Sequence, residues 1–305
     1  MKSIFFTGKG GTGKSTLSAS AALQISERGK KVLLVSFDPA HNLGDIFHLE
    51  LGHKKYSYTS NLYLQETDLE EAAREYLHSH LALLNEAYSY MKAFNLEKYF
   101  QVFQYSPGVE EYAALICLEK ILNRENAFDF IVFDTPPTGL TLRILALPAI
   151  TCAWLQHLIG LRRDILKKRY TIHNITGKYD PEGVELVYRE DQDRVMQKIL
   201  EMQQRYERVK RWLEGGDNMI AVVLNPDFLS LRESRRLMDG LQDLALKPAA
   251  ALHNKVDPAN LQAADEIEQA LLGPDFALKL QRVYSTDLQA GQSCLVRRDL
   301  SQIFL

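Results

Sequence analysis

Apolar residues along this chain gather in short unbroken runs, separated by longer stretches where they recur every three or four positions. Ser3–Thr7 is one run and ends at Gly8. Lys30–Asp38 (KKVLLVSFD) is a second, and Phe128–Pro137 is a third with an aspartate and turn residues at its end. Asn218–Pro226 and Lys247–Lys255 are the fourth and fifth. Strands that are apolar at consecutive positions suit a central parallel sheet covered on both faces. From Ser15 to Gly29 the chain reads STLSASAALQISERG, small residues and helix formers that predict a helix directly after a glycine-rich loop. Alternation of such strands and helices predicts an α/β fold, a doubly wound and mostly parallel sheet.

Two stretches break the alternation. Leu69–Tyr105 is aromatic-rich and helical in pattern, and Ala149–Gly215 is a second helical region without a convincing strand. In the latter, Val195, Ile199, Met202, Tyr206, Val209 and Leu213 step by four and three, a heptad stripe on a charged helix. The plain expectation is a helix laying that stripe on its own domain; the sharper one is the wall of a groove or a pairing with a partner. NITGKYDPEG (Asn174–Gly183) predicts an exposed loop. Residues 1–305 therefore read as a single domain, with 69–105 and 149–215 as helical insertions that form a candidate client-binding subdomain.

Gly8-Lys9-Gly10-Gly11-Thr12-Gly13-Lys14-Ser15 satisfies G-x-x-x-x-G-K-[ST], followed by Thr16. Glycines let consecutive backbone N–H groups curl around phosphate oxygens, and the following helix offers its N-terminal dipole to the same anion. Lys14 is expected at the β- and γ-phosphates and Ser15 on Mg²⁺. The loop also follows a predicted strand and opens a predicted helix, as a phosphate-binding loop must. Lys9 is an additional cation. It is either a screened surface charge or one aimed away from its own nucleotide, toward that of a facing subunit, where it would stabilise charge developing in phosphoryl transfer. The second alternative predicts a homodimer.

Phosphoryl transfer also needs a group to position water and a carboxylate for the metal. Asp38 closes the second apolar run in SFDPAHNLGDIF, and Asp134 closes the third in VFDTPPTGLTLR. Carboxyl ends of strands face the ligand crevice in an open α/β sheet. Asp38 is therefore expected to orient the attacking water and Asp134 to hold Mg²⁺ from outside its first ligands. As Asp-Pro and Asp-x-Pro segments, both are also common turn starters. Asp45 is a weaker candidate, a helix cap or loop anchor.

Together GKGGTGKST, SFDPAHNLGDIF and DTPPTGLTLRILALP resemble the arsenite-pump ATPases and the tail-anchored-protein targeting ATPases. These are sister groups within the deviant Walker A class, which also holds the septum-site and partition ATPases and the nitrogenase iron protein. NLYLQETDLEEAAREY (Asn61–Tyr76), SPGVEEY (Ser106–Tyr112) and NPDFLSLRESRRLMDGL (Asn225–Leu241) extend the resemblance, which is weakest at 149–215 and after Gly273. The resemblance implies an ATPase in which Lys9 contacts nucleotide across a two-fold interface. It implies that Asp38 activates water, that Asp134 belongs to the second switch, and that Pro136–Gly139 is the moving part. ATP would draw two subunits together and hydrolysis would let them part.

HNKVD (His253–Asp257) contains Asn-Lys-x-Asp, the guanine-reading signature of many GTPases; its plain reading is a strand-end turn. In the family resembled, an asparagine at the matching strand end contacts adenine, which places Asn254 at the base and favours ATP, with Asp257 keeping GTP open. The chain departs from its relatives in three ways. It has no C-x-x-C to bridge a dimer through zinc. Cys117, Cys152 and Cys294 do not match the soft-ligand set of the duplicated arsenite pumps, and only Met196 and Met202 lie on the 195–213 helix. Missing thiol ligands favour a protein client, a hydrophobic or membrane-protein segment, over metalloid export. The alternatives are the soluble ATPase component of an arsenite or antimonite efflux pump, or a nucleotide-binding regulatory switch.

Composition narrows the rest. A net charge of −3 across 305 residues argues against nucleic acid. Sparse, unpaired cysteines suit a reducing compartment. MKSIFF runs straight into the loop and leaves no room for a signal peptide, and no apolar run is read as approaching the roughly 20 residues of a membrane span. The expectation is a cytoplasmic protein with no transmembrane segment of its own, which could still dock to a membrane receptor.

Overall fold

The computed structural model describes residues 1–38, 42–75, 108–125, 127–177, 187–271, 278–287 and 295–305. Among them run the strands Lys2–Gly8 (β1), Val32–Ser36 (β2), Tyr56–Ser57 (β3), Leu62–Glu66 (β4), Phe130–Asp134 (β5), Asn218–Leu224 (β6), Pro248–Val256 (β7) and Lys279–Tyr284 (β8). They form one sheet in the order β3-β4-β2-β5-β1-β6-β7-β8. Every pairing is parallel except the two-residue β3 against β4. This is the doubly wound α/β sheet that the apolar runs predict, with β1 at its centre.

Side chains of a strand leave opposite faces at alternate positions. Ile4 and Phe6 of β1 therefore enter one core and Phe5 the other. The first core is covered by helices Lys14–Glu27 (α1) and Asn42–Phe47 (α2) and by the chain end, where Phe304 packs on Phe6 at 5.6 Å between ring centroids. The second is covered by Val109–Arg124 (α3), Thr138–Thr176 (α4), Arg194–Leu213 (α5), Phe228–Asp243 (α6) and Leu261–Leu271 (α7). Phe5 stacks on Phe133 at 4.5 Å, and Phe37 stacks on the same ring at 5.7 Å. Burying each such side chain is worth about 1.5–3 kcal/mol.

The apolar runs do not predict the short and outlying strands. Leu62–Glu66 alternates buried and half-buried positions, as a strand does when one sheet face is covered more fully than the other, and β8 is half-exposed along most of its length. Neither makes the unbroken apolar run that marks the centre. Within 69–105, residues 69–75 are helical and the remainder lies outside the described residues. Helix α4 starts at Thr138, runs for 39 residues past an internal Pro148, and ends at Gly177, whose φ is 97°. The first residues of the expected 174–183 loop are thus the last turn of a helix.

The heptad stripe on α5 lies on its own domain. Tyr206, Val209 and Leu213 join the second core, with Ile199 and Met202 against it, while Met196 packs with Ile159 and Leu166 of α4. Two ion pairs bind these helices together. Arg162 grips both oxygens of Asp193 at 3.0 and 2.7 Å, and Asp193 caps α5 by accepting from the Met196 N–H at 2.7 Å. Arg205 grips Glu119 of α3 at 3.1 and 2.7 Å.

One expectation is corrected. Between Arg143 and Arg162 the chain carries no charged side chain. An 18-residue window of α4 reaches a mean hydropathy of 1.7, and only 33% of that window is buried. By length and composition this helix could cross a membrane; Pro148, Thr151, Gln156 and His157 interrupt the run and hide it from a search for unbroken apolarity.

Candidate active site

β1 delivers the chain to the glycine loop and α1 carries it away, so the loop sits at the carboxyl edge of the central strand. Gly8 must be glycine because a Cβ there would stand 2.1 Å from the Val223 carbonyl oxygen of β6. Gly13 adopts φ 93°, and a Cβ there would stand 2.4 Å from Asn254 Nδ2. Gly10 and Gly11 are exposed, so the loop opens to solvent.

Lys14 is buried at the start of α1, and its Nζ donates to the Lys9 carbonyl at 3.3 Å. Burial lowers its pKa; Asp134, Asp38 and Glu233 oppose that shift. The Thr12 hydroxyl donates to the same carbonyl at 2.8 Å. Ser15 and Thr16 lie in the first turn of α1. Lys9 points outward: its ammonium lies 4.0 Å from Asp227, the residue that caps α6. At that distance, with both groups partly exposed, the pair is a weak attraction.

Asp134 ends β5 with no exposure at all. Burial pushes its pKa up to about 7, against the Ser15 hydroxyl, Lys14 and Ser36, and Asp38 adds to the rise. Its Oδ2 meets the Ser36 hydroxyl at 3.5 Å, and its Oδ1 is buried with no hydrogen bond. A buried carboxylate oxygen without a donor, beside a serine hydroxyl and below a phosphate loop, fits a hard divalent cation. Asp38 lies two residues beyond the end of β2, its N–H donating to Ser36 Oγ at 3.1 Å, close enough to influence both Lys14 and Asp134. Pro39, Ala40 and His41 of the DPAH stretch lie outside the described residues. Asp45 is exposed in the first turn of α2.

The segment after Asp134 is held by threonines. Thr135 Oγ1 donates to the Phe6 carbonyl at 2.8 Å, and Thr141 Oγ1 to the Pro136 carbonyl at 2.6 Å. Thr138 Oγ1 donates to Glu233 of α6 at 3.3 Å. Glu233 lies inside the NPDFLSLRESRRLMDGL stretch, where no spacing singles it out, although it acts on Lys14 as well.

Asn254 is buried at the end of β7, where its Nδ2 donates to the Thr12 carbonyl at 2.8 Å. Lys255 reaches the same loop, Nζ to the Gly11 carbonyl at 2.7 Å. Asp257 Oδ1 accepts from the N–H groups of Ala259 and Asn260 at 2.9 and 3.1 Å, the strand-end turn of the plain reading. Cys117 packs beside Ala72, Ala73, Val109 and Ala113, and burial pushes its thiol up to about 11; Cys152 packs against the second core. Cys294 lies outside the described residues.

The sequence model of the anion-transporting ATPase family matches residues 1–272. The chain belongs to this family. It is 34% identical over 282 residues to the putative arsenical pump-driving ATPase 2 of Aquifex aeolicus (strain VF5), covering 89% of this chain and 87% of that protein. It is 29% identical over 271 residues to the ATPase ASNA1 homolog of Entamoeba dispar (strain ATCC PRA-260 / SAW760), covering 85% of this chain and 78% of that one. The chain is an ATPase of the anion-transporting family, and the glycine loop with its two acidic strand ends lies within the matched region.

Proposed function

We propose that this ATPase works as a homodimer whose opening and closing, driven by Mg-ATP hydrolysis, handles an apolar client such as a hydrophobic or membrane-protein segment. The observation that carries the proposal is the outer face of α4. Ile150, Trp154, Leu158, Leu161 and Ile165 are 46%, 65%, 43%, 62% and 41% exposed. Their spacing of four, four, three and four puts them on one side of the helix. A contiguous apolar stripe left in water marks a binding surface. The helix that bears it begins at Thr138, four residues past Asp134.

In this reading the N–H groups of residues 10–14 and the Lys14 ammonium bind the phosphates. Ser15 would hold Mg²⁺ directly and Asp134 from outside its first ligands, and the cation would supply neutralisation of charge on the transferring phosphoryl group. Asp38 accepts a hydrogen bond from the attacking water and orients it in line. Lys9 serves the nucleotide of the facing subunit, and Asn254 stands near the base. Release of the γ-phosphate alters what surrounds Pro136–Gly139, and α4 carries the change to its stripe.

Light-scattering chromatography with a non-hydrolysable ATP analogue is expected to show a dimer that Lys9→Ala abolishes. Trp154→Ser with Leu161→Ser is expected to keep basal hydrolysis and lose about tenfold in affinity for a fluorescent peptide carrying an apolar helix of about 20 residues. A Lys9→Ala protein that still pairs and hydrolyses at the parental rate would defeat the dimeric reading. Unchanged peptide binding would defeat the client. A second reading, the ATPase of a metalloid pump, draws on the name of the Aquifex relative; stimulation of hydrolysis by arsenite or antimonite would favour it.

A further inference from the structure

β7 departs from regular pairing at its carboxyl end. His253 pairs with Arg282 of β8 and Val256 with Tyr284, so Asn254 and Lys255 together oppose Val283 alone. This is a bulge, and Lys255 takes φ 58° within it, a left-handed conformation that costs a non-glycine residue about 1 kcal/mol or more. Neighbouring side chains of a regular strand leave opposite faces. Here both turn onto the phosphate loop, Asn254 to the Thr12 carbonyl and Lys255 to the Gly11 carbonyl.

The bulge is braced from behind. His253, with no exposure, sets Nδ1 2.8 Å from Glu268 Oε1. Arg282 grips both oxygens of Glu268 at 2.8 and 2.7 Å. Against the upward push of burial, Arg282 and His253 hold the Glu268 carboxyl below its ordinary range, so it is an ionised acceptor and His253 Nδ1 carries the proton. Two residues in register, one on each strand, are thus locked to a single carboxylate beside the bulge.

The C=O and N–H of one peptide point in opposite directions. Holding the Gly11 and Thr12 carbonyls toward β7 therefore turns the N–H groups of Thr12 and Gly13 away from it, the Thr12 N–H onto the Lys9 carbonyl at 3.4 Å, where an arriving anion would compete for it. A carbonyl turned inward would instead set an acceptor against phosphate oxygens. We propose that Lys255 is a positioning residue for phosphate binding, its ammonium presetting the glycine loop through the Gly11 carbonyl. The proposal rests on that loop being the nucleotide site.

The test compares the parental protein with Lys255→Met, which keeps the aliphatic stem, and Lys255→Arg, which keeps a donor. Calorimetry measures Mg-ATP and inorganic tripolyphosphate, and kinetics measure hydrolysis. Lys255→Met is expected to weaken both ligands about tenfold and to raise KM with kcat nearly unchanged, while Lys255→Arg recovers most of the loss. The melting temperature of the nucleotide-free protein stays at the parental value. Loss confined to Mg-ATP would mean a base or ribose contact and would overturn the proposal. So would unchanged affinity, a fall in kcat at constant KM, or a parental protein that binds Mg-ATP without binding tripolyphosphate. A parental protein that binds neither ligand would instead remove the nucleotide site from this loop.

Discussion

Asp134→Asn is expected to make the nucleotide-free protein more stable while disabling it. The parental carboxyl is fully buried, and its pKa stands at about 7 against an ordinary 3.8. A tenfold change in a proton equilibrium is worth about 1.4 kcal/mol, so ionising this group inside the fold costs about 4 kcal/mol more than ionising it in the unfolded chain. The sign follows from proton counts. Between pH 4 and 7 the folded state holds a proton that the unfolded chain has released, so stability falls as pH rises through that window. Asparagine matches the shape, accepts from the same serines and does not titrate. Its advantage over aspartate should approach 4 kcal/mol at pH 8 and shrink to about 1–2 kcal/mol at pH 5. Urea unfolding of both nucleotide-free proteins at the two pH values reads this difference directly. Magnesium-dependent hydrolysis should be lost at the same time, because an amide lacks the negative charge that would hold the cation and its ligands in place. A gain that is equal at both pH values, or an asparagine variant weaker than its parent at pH 8, would refute the argument from burial.

Asp38→Asn should keep Mg-ATP affinity within a few-fold and lower the hydrolysis rate by about 10²-fold or more, measured by single-turnover phosphate release. Asp193→Ala removes the cap of α5 and strands the Arg162 guanidinium, a loss of about 2–4 kcal/mol that chemical denaturation would reveal. Although burial pushes the Asp193 carboxyl upward, hydrogen bonds from Arg162 and the Met196 N–H, with the charges of Arg162 and Arg169, set it below the ordinary value. Its stabilisation is therefore complete above the unfolded pKa near 4 and disappears as pH falls through the lower folded value. A variant whose deficit against the parent persists undiminished in strong acid would contradict that assignment.

The centre of the sheet is readable in the sequence because β1, β2, β5, β6 and β7 are buried on both faces and so are written as continuous apolar runs. The rim is not. Leu62–Glu66 alternates, and Tyr56–Ser57 is too short to carry any period. The loop and its helix are legible because phosphate binding constrains residue type at fixed spacing. The contacts of Asn254 and Lys255 are not, since they depend on a bulge that strand periodicity does not encode. The stripe on α4 is open to view at positions 150, 154, 158, 161 and 165. The more regular one on α5 masks it, because charged neighbours make the α5 period conspicuous although its apolar residues are largely packed inside.

Helix α4 has a mechanical consequence. It is rooted beside the buried end of β5, and its 39 residues span nearly 60 Å at about 1.5 Å per residue. A tilt of only about 10° at its base would sweep the far tip through about 10 Å, the full width of a helix. Pro148 can donate no hydrogen bond to the turn before it, and beyond it the shaft is tied to α5 by Met196 and by Arg162–Asp193, so that the two helices would move together. In the proposed cycle, a displacement of atomic size, such as the departure of one phosphate, would thereby be enlarged to the scale on which protein surfaces open and close.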